Sequence, residues 1–341
     1  MHLAIRLNLY RAATLSVPVD LVQAADDLGY HSVWTAEAYG ADALSPLAYL
    51  AGYTRRIKLG TSIAQLAARP AATLAMHAMT IDALAGGGRV IIGIGVSGPQ
   101  IVEGWYGQPW GHPTPRLRDY VAIVRKVLDR EGPVSHDGTE LSLPYRGPGA
   151  TGEGKALRSI LHPSSRIPIW LASGGPRNTE LCAEVADGWL PMGLGAGNSV
   201  PALERGWAER GGRPPGFEIF SNASVEITDD VAGALDRRRP LTAMYVGGMG
   251  SETHNFHKEA MARRGFPDEA QRIQDLWLAG KKAEAVEAVP DAYLEQSLYV
   301  GDEQRIRRRW AEQGPAGLAT GLILDVPGVE ELRLIADLRD R

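Results

Sequence analysis

The sequence contains a single cysteine, Cys182, so no disulfide can form within the chain. Scarcity of cysteine is typical of proteins from a reducing compartment, and we expect a cytoplasmic protein. Cys182 lies in an apolar helical pattern and is interpreted as a buried, unreactive thiol.

Long hydrophobic runs and excess positive charge are also missing. No apolar run reaches the roughly 18 residues that a membrane span needs, and the first residues lack the apolar core of a signal peptide. The 36 Lys and Arg residues against 40 Asp and Glu residues give a net charge of −4. A nucleic-acid-binding protein needs a basic face, so we expect neither nucleic acid nor membrane as a partner, but a small-molecule substrate.

The chain does contain a regular alternation of strand-like and helix-like segments. Eight strands are predicted, at residues 4–9, 32–35, 56–63, 89–95, 167–172, 188–190, 218–225 and 318–324. Two stretches interrupt the alternation: residues 132–168, with a hairpin turning at Asp137-Gly138, and the mostly helical residues 229–300. The pattern predicts an α/β fold, a single-domain (β/α)8 TIM barrel over residues 1–341 that carries these two insertions. Its chemistry is then expected at the carboxyl ends of the strands.

A glycine-rich turn ends the fourth predicted strand. Gly93, Gly95 and Gly98 fit the G-x-G-x-x-G dinucleotide pattern, but that pattern alone is weak, and here it follows the fourth strand and precedes Pro99. Three interpretations stay open: a dinucleotide fingerprint, a strand end that lets a cofactor approach the backbone, or a purely structural turn.

A second glycine turn, Gly174-Gly175, follows the fifth predicted strand and precedes Arg177 and Asn178. Free backbone N–H groups at a helix start, beside an arginine, suit a phosphate or another anion. The alternative is a tight connection that binds no ligand.

Few side chains outside these turns indicate chemistry. Glu37 ends the second predicted strand, where packing does not require a carboxylate, and His112 lies in a loop that could overhang the barrel mouth. His254 and His257 have a spacing that metal ligands can use, but no further ligand stands nearby, and no metal site is predicted. The sequence therefore favours borrowed cofactor chemistry over a side-chain nucleophile.

Several stretches, taken in order along nearly the whole chain, resemble the luciferase-like monooxygenase superfamily and specifically its F420-dependent oxidoreductase branch. They are WTAEAYGADALSPLAYLA, RIKLGTSIAQLAARPAATLAM, DALAGGGRVIIGIGVSGPQIVEGWYG, PIWLASGGPRNTELCAEVADGWLP, MYVGGMGSETHNF and IQDLWLAGKKAEAVEAVPD. The last two resemble a mycobacterial-type subfamily. The resemblance implies a barrel with an insertion, often a homodimer, and hydride transfer to or from coenzyme F420, a deazaflavin.

The resemblance also implies site residues. Ser62-Ile63 matches a non-prolyl cis peptide whose bulge supports the deazaflavin ring. Glu37 and Gln65 match positions that contact the cofactor. The remaining matches are the turn after strand four and the turn that holds the phosphate side, at Val96, Ser97, Gly174, Gly175, Arg177 and Asn178.

The sequence departs from the branch at the proton donor. Sugar-phosphate and alcohol dehydrogenases of the branch carry a histidine after the strand-two acid, where this chain has Ala38. The strand-four glutamate of those enzymes aligns near Gly98. A proton donor must then come from elsewhere, with Glu37, His112, Tyr10 and Glu103 as candidates.

Three other functions stay open at this level. The first is an FMN-dependent monooxygenase of the same superfamily, the second is a cofactor-binding barrel without turnover, and the third is a phosphate-binding barrel isomerase. The substrate is not indicated, because substrate contacts in this fold come from loops and insertions.

Overall fold

The structure is a computed structural model that describes residues 1–191, 199–249, 255–313 and 318–340. In these ranges eight parallel strands close into a barrel, because β10 pairs with both β9 and β12. The barrel strands are β1 (His2–Leu7), β2 (Ser32–Thr35), β3 (Lys58–Thr61), β5 (Val90–Gly95), β8 (Ile169–Ser173), β9 (Gly188–Pro191), β10 (Glu218–Ile227) and β12 (Gly321–Leu324). All eight carboxyl ends therefore lie on one face. The predicted TIM barrel is confirmed.

The helices of the described ranges are α1 (Val19–Asp27), α2 (Ser45–Ala51), α3 (Ala71–Leu84), α4 (Pro99–Gly104), α5 (Pro113–Asp129), α6 (Pro176–Val185), α7 (Ser199–Glu209), α8 (Val231–Asp236), α9 (Arg239–Gly248), α10 (Phe256–Arg263), α11 (Pro267–Leu278), α12 (Lys282–Glu287), α13 (Asp291–Glu295), α14 (Glu303–Gln313) and α15 (Val329–Asp340). The apolar outer face of the barrel is covered by α1, α2, α3, α5, α6, α7, α14 and α15. Within the described ranges no helix is long and apolar enough to cross a bilayer.

The barrel interior is filled by large rings that face glycines. Trp34, Trp170 and Phe220 are almost completely buried, and the two tryptophan ring centroids lie 5.2 Å apart. A Cβ atom on the neighbouring-strand residues Gly60 or Gly188 would overlap one of the tryptophan rings. Large and small residues thus alternate around the barrel, and the interior is a packed core that closes the barrel below its mouth.

The first interruption, residues 132–168, contains the predicted hairpin. The short strands β6 (His136–Asp137) and β7 (Ser142–Leu143) pair antiparallel around a four-residue turn. The buried carboxylate of Asp119 on α5 accepts hydrogen bonds from the backbone N–H groups of Glu140 and Leu141 at 2.7 and 3.0 Å. These bonds fix the hairpin against the barrel.

The second interruption, residues 229–300, has its own apolar cluster, formed by helices α8 to α13 and the strand β11 (Leu298–Gly301). This strand pairs in parallel with the second half of β10, at Ser224 to Ile227. The prediction of a mostly helical segment missed β11, because a four-residue strand at the end of a helical run gives little periodicity. The prediction also missed α4, which follows directly on Gly98, and α7.

Candidate active site

A bulge shapes the carboxyl end of β3. Gly60 pairs with Ile91 of β5, and pairing resumes between Ala64 of the short strand β4 (Ala64–Gln65) and Ile94, so β3 carries one residue more than its neighbour between the two pairs. Inside the bulge the Thr61 hydroxyl donates to the Gly93 carbonyl at 2.8 Å and accepts from the Gly93 N–H at 2.9 Å. The peptide bond between Ser62 and Ile63 is cis, as the resemblance implies.

The glycines of the G-x-G-x-x-G stretch make room for this bulge. A Cβ atom on Gly93 would overlap the Thr61 carbonyl oxygen, and one on Gly95 would lie 2.9 Å from the Ile63 side chain. Both glycines therefore allow two neighbouring strands to approach closely, which is one physical reason for the motif. This packing accounts for two glycines of the pattern without a dinucleotide.

Glu37 forms a buried network behind the bulge. Its carboxylate makes a bidentate ion pair with Arg69, with N–O distances of 2.8 and 2.7 Å. The same two oxygens accept the backbone N–H groups of Gln65 at 2.8 Å and Ala43 at 3.1 Å. The structure thus joins two predicted cofactor residues, Glu37 and Gln65, and gives the Glu37 carboxylate four donors. With the side chain only 3% exposed, the carboxylate positions the bulge from behind.

A cavity of about 350 Å³ opens at the barrel mouth, at the carboxyl ends of β1, β2, β3 and β10. Helices α9 and α10 of the second interruption reach over it. The residues that line it are Arg6, Leu7, Asn8, Tyr10, Arg11, Trp34, Thr35, Ala36, Ser62, Asn222, Tyr245 and His257. The cavity is lined partly by the barrel strands and partly by Tyr245 and His257. These two residues lie almost 200 positions after Ser62 in the sequence.

Arg6 carries the charge at the cavity floor. One of its terminal nitrogens lies 3.2 Å from an Asp325 carboxylate oxygen, and the other donates to the Asn222 side-chain oxygen at 3.4 Å. Asn8 donates to the same Asp325 oxygen at 3.1 Å. Arg6 Nε is buried and has no partner in the described part of the chain. The cavity floor is thus rich in hydrogen-bond donors.

Two predicted turns lie side by side at the mouth, because Ile94 of β5 pairs with Leu171 of β8. Val96 and Ser97 follow β5, and Ser97 has a left-handed backbone with φ of 61°. The turn after β8 holds the predicted anion-binding residues in the order Gly174, Gly175, Arg177 and Asn178.

The second of these turns begins α6 with Gly175 as the N-cap. Since the first N–H groups of a helix have no intrahelical acceptor, they are available to an anion. Arg177 is exposed beside them, whereas the Asn178 side-chain oxygen accepts from Thr114 at 2.6 Å. The free N–H groups and Arg177 suit an anion, as predicted for this turn. The hydrogen bond between Thr114 and Asn178 connects the turn to the start of α5.

Three of the four predicted proton donors do not line the cavity, and one of them is Glu37, which lies behind the bulge. His112 is exposed, with Nδ1 2.8 Å from a Glu140 carboxylate oxygen, and it is not among the lining residues. Glu103 is exposed on α4, where it accepts from the Trp110 N–H at 3.3 Å. His112 does lie in the predicted loop after strand four, but the side chain is at the surface. Of the four predicted donors, Tyr10 lines the cavity.

Sequence reasoning missed Arg6, Asn222, Tyr245 and His257 as site residues. A signal existed for Arg6, since Ala4 of β1 faces the barrel interior and strand alternation then turns residue 6 inward at the carboxyl end. His257 was considered only as half of a metal pair, and His254 lies outside the described residues. Nothing in the sequence indicated that α9 and α10 cover the mouth.

Comparisons with known proteins agree with this geometry. The model of the luciferase-like monooxygenase family matches residues 5–319. A Mycobacterium tuberculosis protein to which coenzyme F420-dependent oxidoreduction is attributed is 43% identical over 99% of both chains. The solved coenzyme F420-dependent tetrahydromethanopterin reductase of Methanopyrus kandleri superposes with a TM-score of 0.75 at 23% identity, over 98% of this chain and 97% of that one. A solved F420-dependent secondary alcohol dehydrogenase, in complex with an F420-acetone adduct, gives a TM-score of 0.73 at 16% identity, over 99% and 97%. The chain belongs to the luciferase-like monooxygenase family.

Proposed function

We propose that the protein is a coenzyme F420-dependent oxidoreductase, which transfers a hydride between the deazaflavin and a small organic substrate. The observation that carries the proposal is the bulged end of β3 beside an open cavity at the barrel mouth, with two glycine turns next to it. The 43% identical relative, with its attributed F420-dependent oxidoreduction, supports the same cofactor.

The residues at the mouth fit such a cofactor. Ser62, Ile63 and Gln65 form the bulge on which the ring would rest, and Gln65 Oε1 is a buried acceptor with no partner in the described ranges. Glu37 would hold this bed from behind through Gln65 rather than touch the reacting atoms. Hydrogen bonds within the protein therefore fix the bed.

The phosphate side of the cofactor would bind at the other predicted residues. Their shared feature is a position at the start of a helix or in the turn before it, where backbone N–H groups and a guanidinium favour an anion. They are Val96, Ser97, Gly174, Gly175, Arg177 and Asn178.

When bound, F420 would supply the hydride chemistry, which no protein side chain provides. The protein would orient the substrate and exclude water. In the cavity Arg6 and Asn222 offer donors to a polar substrate atom, and Tyr245 and His257 close the space above. The size of the cavity suits a small substrate.

A binding titration with F420 and with FMN, side by side, tests the proposal. We expect F420 to bind more tightly, and Arg177→Ala to weaken F420 binding about tenfold, since it removes one charge-assisted hydrogen bond to the phosphate. Arg55→Ala is the matched control, because Arg55 is 84% exposed and pairs with Asp27 on α1. Preferred binding of FMN would instead indicate the alternative, an FMN-dependent monooxygenase. Tight F420 binding without turnover of alcohols, ketones or enones would indicate a cofactor-binding barrel that is not an enzyme.

A further inference from the structure

His257 is held over the barrel mouth by a buried side-chain cap. Asn255 accepts a hydrogen bond from the Lys258 N–H at 3.0 Å, and so caps α10, while its side-chain nitrogen donates to the Val246 carbonyl on α9 at 2.7 Å. Asn255 is buried, so α9 and α10 keep a fixed relation at this point. His257 is therefore positioned by α10 over the cavity and does not lie on a loose loop.

The ring of His257 lies in an aromatic, half-buried environment. Its centroid is 4.8 Å from that of Tyr245 and 5.8 Å from that of Phe256. Within the described ranges neither ring nitrogen has a hydrogen-bond partner. Burial lowers the pKa of His257, so the ring is neutral near pH 7 and can accept a proton.

The groups that share the cavity with His257 favour a substrate oxygen. The charged and titratable groups among the described lining residues are Arg6 and Arg11, Tyr10 and Tyr245, and no carboxylate is among them; Asp325 lies behind Arg6, paired with its guanidinium. A cationic or amine substrate would meet two guanidinium groups here. An alcohol or carbonyl oxygen would instead meet donors from Arg6 and Asn222, in a cavity that the His257 imidazole also lines.

We propose that His257 is the catalytic residue that takes the proton from an alcohol substrate, and returns it to the carbonyl oxygen in the reverse reaction. The proposal rests on the proposed function. In alcohol oxidation the O–H and C–H bonds break and the C=O bond forms. The proton goes to a His257 ring nitrogen, and the hydride leaves with the electron pair for the deazaflavin, so alcohol and F420 give carbonyl, reduced F420 and an imidazolium.

The other predicted proton donors are less suited to this role. Both Glu37 oxygens already accept two hydrogen bonds each, one of them from Arg69, behind the bulge. His112 is exposed and paired with Glu140, away from the lining residues. The Tyr10 hydroxyl already accepts a hydrogen bond from Arg11 Nε at 2.9 Å. His257 lines the cavity, and its ring nitrogens have no hydrogen-bond partner in the described part of the chain.

The test uses the full chain and three variants: His257→Gln, His257→Ala and, as the matched control, His77→Gln at an exposed position of α3. F420 titrations come first, and the variants are expected to bind F420 within twofold of wild type. Turnover is then followed by deazaflavin absorbance, with a panel of primary and secondary alcohols and F420, and with aldehydes and ketones and reduced F420.

We expect wild type and His77→Gln to turn over members of the panel at the same rate. His257→Gln should lower kcat about 100-fold or more, the usual contribution of general acid–base catalysis, with KM changed less than threefold. Wild-type alcohol oxidation should fall at acidic pH, below the ordinary histidine range, where the buried ring finally takes up a proton, and the variant should lose this dependence. Added imidazole should partly restore His257→Ala, which a structural role of the ring would not produce.

Two results would overturn the proposal while F420 binding holds. One is a His257→Gln variant that keeps kcat within threefold of wild type with the same pH profile. The other is a wild-type protein that binds F420 but turns over no alcohol, aldehyde or ketone. A protein that does not bind F420 fails at the first titration, which contradicts the proposed function itself and is distinguished before any turnover assay.

Discussion

Among single residues, the buried pair of Glu37 and Arg69 holds the bulge at the end of β3 in position. The Glu37 carboxylate is held by Arg69 and by two backbone N–H groups at the foot of the bulge. Removing one partner of a buried ion pair leaves the other charge without compensation, which costs far more than the loss of a surface pair. Glu37 therefore matters for the shape of the mouth even if it touches no reacting atom.

We predict that Glu37→Gln lowers the free energy of unfolding by about 3 kcal/mol, because Arg69 is then buried without its counter-charge. Urea unfolding, followed by tryptophan fluorescence, measures the change. Glu103→Gln is the control at an exposed glutamate and should stay within about 0.5 kcal/mol of wild type. Equal effects of the two substitutions would show that the buried pair does not carry this stability.

Among the secondary-structure elements, the sequence predicted the strands that form the barrel. It did not predict that α9 and α10 contribute to the barrel mouth. The predicted second strand, residues 32–35, coincides with β2, and the continuous apolar run at residues 89–95 predicted β5 to within one residue, because a strand buried on both faces gives an unmistakable pattern. The strand predicted at residues 4–9 lies at His2–Leu7 and is followed by a 3-10 turn at Leu9–Arg11.

The candidate site divides in the same way. The bulge and the two glycine turns follow from local sequence and from resemblance, since each is a short contiguous stretch. The pairing of Glu37 with Arg69 depends on how elements distant in sequence pack together, and so does the cavity that Arg6 and His257 both line. No local pattern contains that information.

A prediction at this scale concerns the contact between β3 and β5. Gly93→Ala should lower the free energy of unfolding by about 3 kcal/mol, because the added methyl group overlaps the Thr61 carbonyl oxygen inside the bulge. Gly132→Ala is the matched control, since a Cβ atom there meets nothing within 4 Å and should change stability by about 0.5 kcal/mol or less. Chemical unfolding of both variants measures the two changes. If Gly93→Ala left the free energy of unfolding unchanged, the packing role of the motif would be contradicted.

At the scale of the whole molecule, a polar cluster closes the amino-terminal end of the barrel. His31 Nε2 lies 2.9 Å from Lys58 Nζ, and Nδ1 lies 2.9 Å from the Ser32 hydroxyl. A neutral ring that donates from Nδ1 and accepts at Nε2 satisfies both contacts. Burial first, and then the charges of Lys58 and His2, lower the pKa of His31 to about 3.

This depressed pKa couples the pH to the stability of the barrel. The unfolded chain takes up a proton on His31 near pH 6.5, whereas the folded chain does so only near pH 3, so stability is lost as the pH falls below 6.5. Between pH 7.5 and 5.5 we predict that His31 contributes a loss of about 1.4 kcal/mol in the free energy of unfolding. Urea unfolding of wild type and His31→Gln at both pH values measures it; identical pH dependence in the two proteins would refute the assignment. Glu218, whose pKa burial raises, opposes this loss, because the folded barrel favours its protonated form as the pH falls.

The outer surface leads to a prediction about assembly. An apolar groove lies between α3, α5 and residues 132–168, and Ile160 at its edge is 93% exposed, with Met76 and Leu157 beside it. Apolar surface of this kind marks interaction sites. The homodimer implied by the resemblance stays a prediction, and we expect this groove to lie in its interface. Light scattering should give twice the chain mass for wild type and for Leu334→Asp on α15, and a single chain mass for Ile160→Asp; a wild-type monomer would contradict it.

A crystal structure of the complex with coenzyme F420 shows whether the barrel mouth binds this cofactor. We predict the deazaflavin ring against Ser62 and Ile63, and the phosphate within hydrogen-bond distance of the first N–H groups of α6 or of Arg177. A ring bound away from β3, or a mouth that stays empty at saturating F420, would contradict the account.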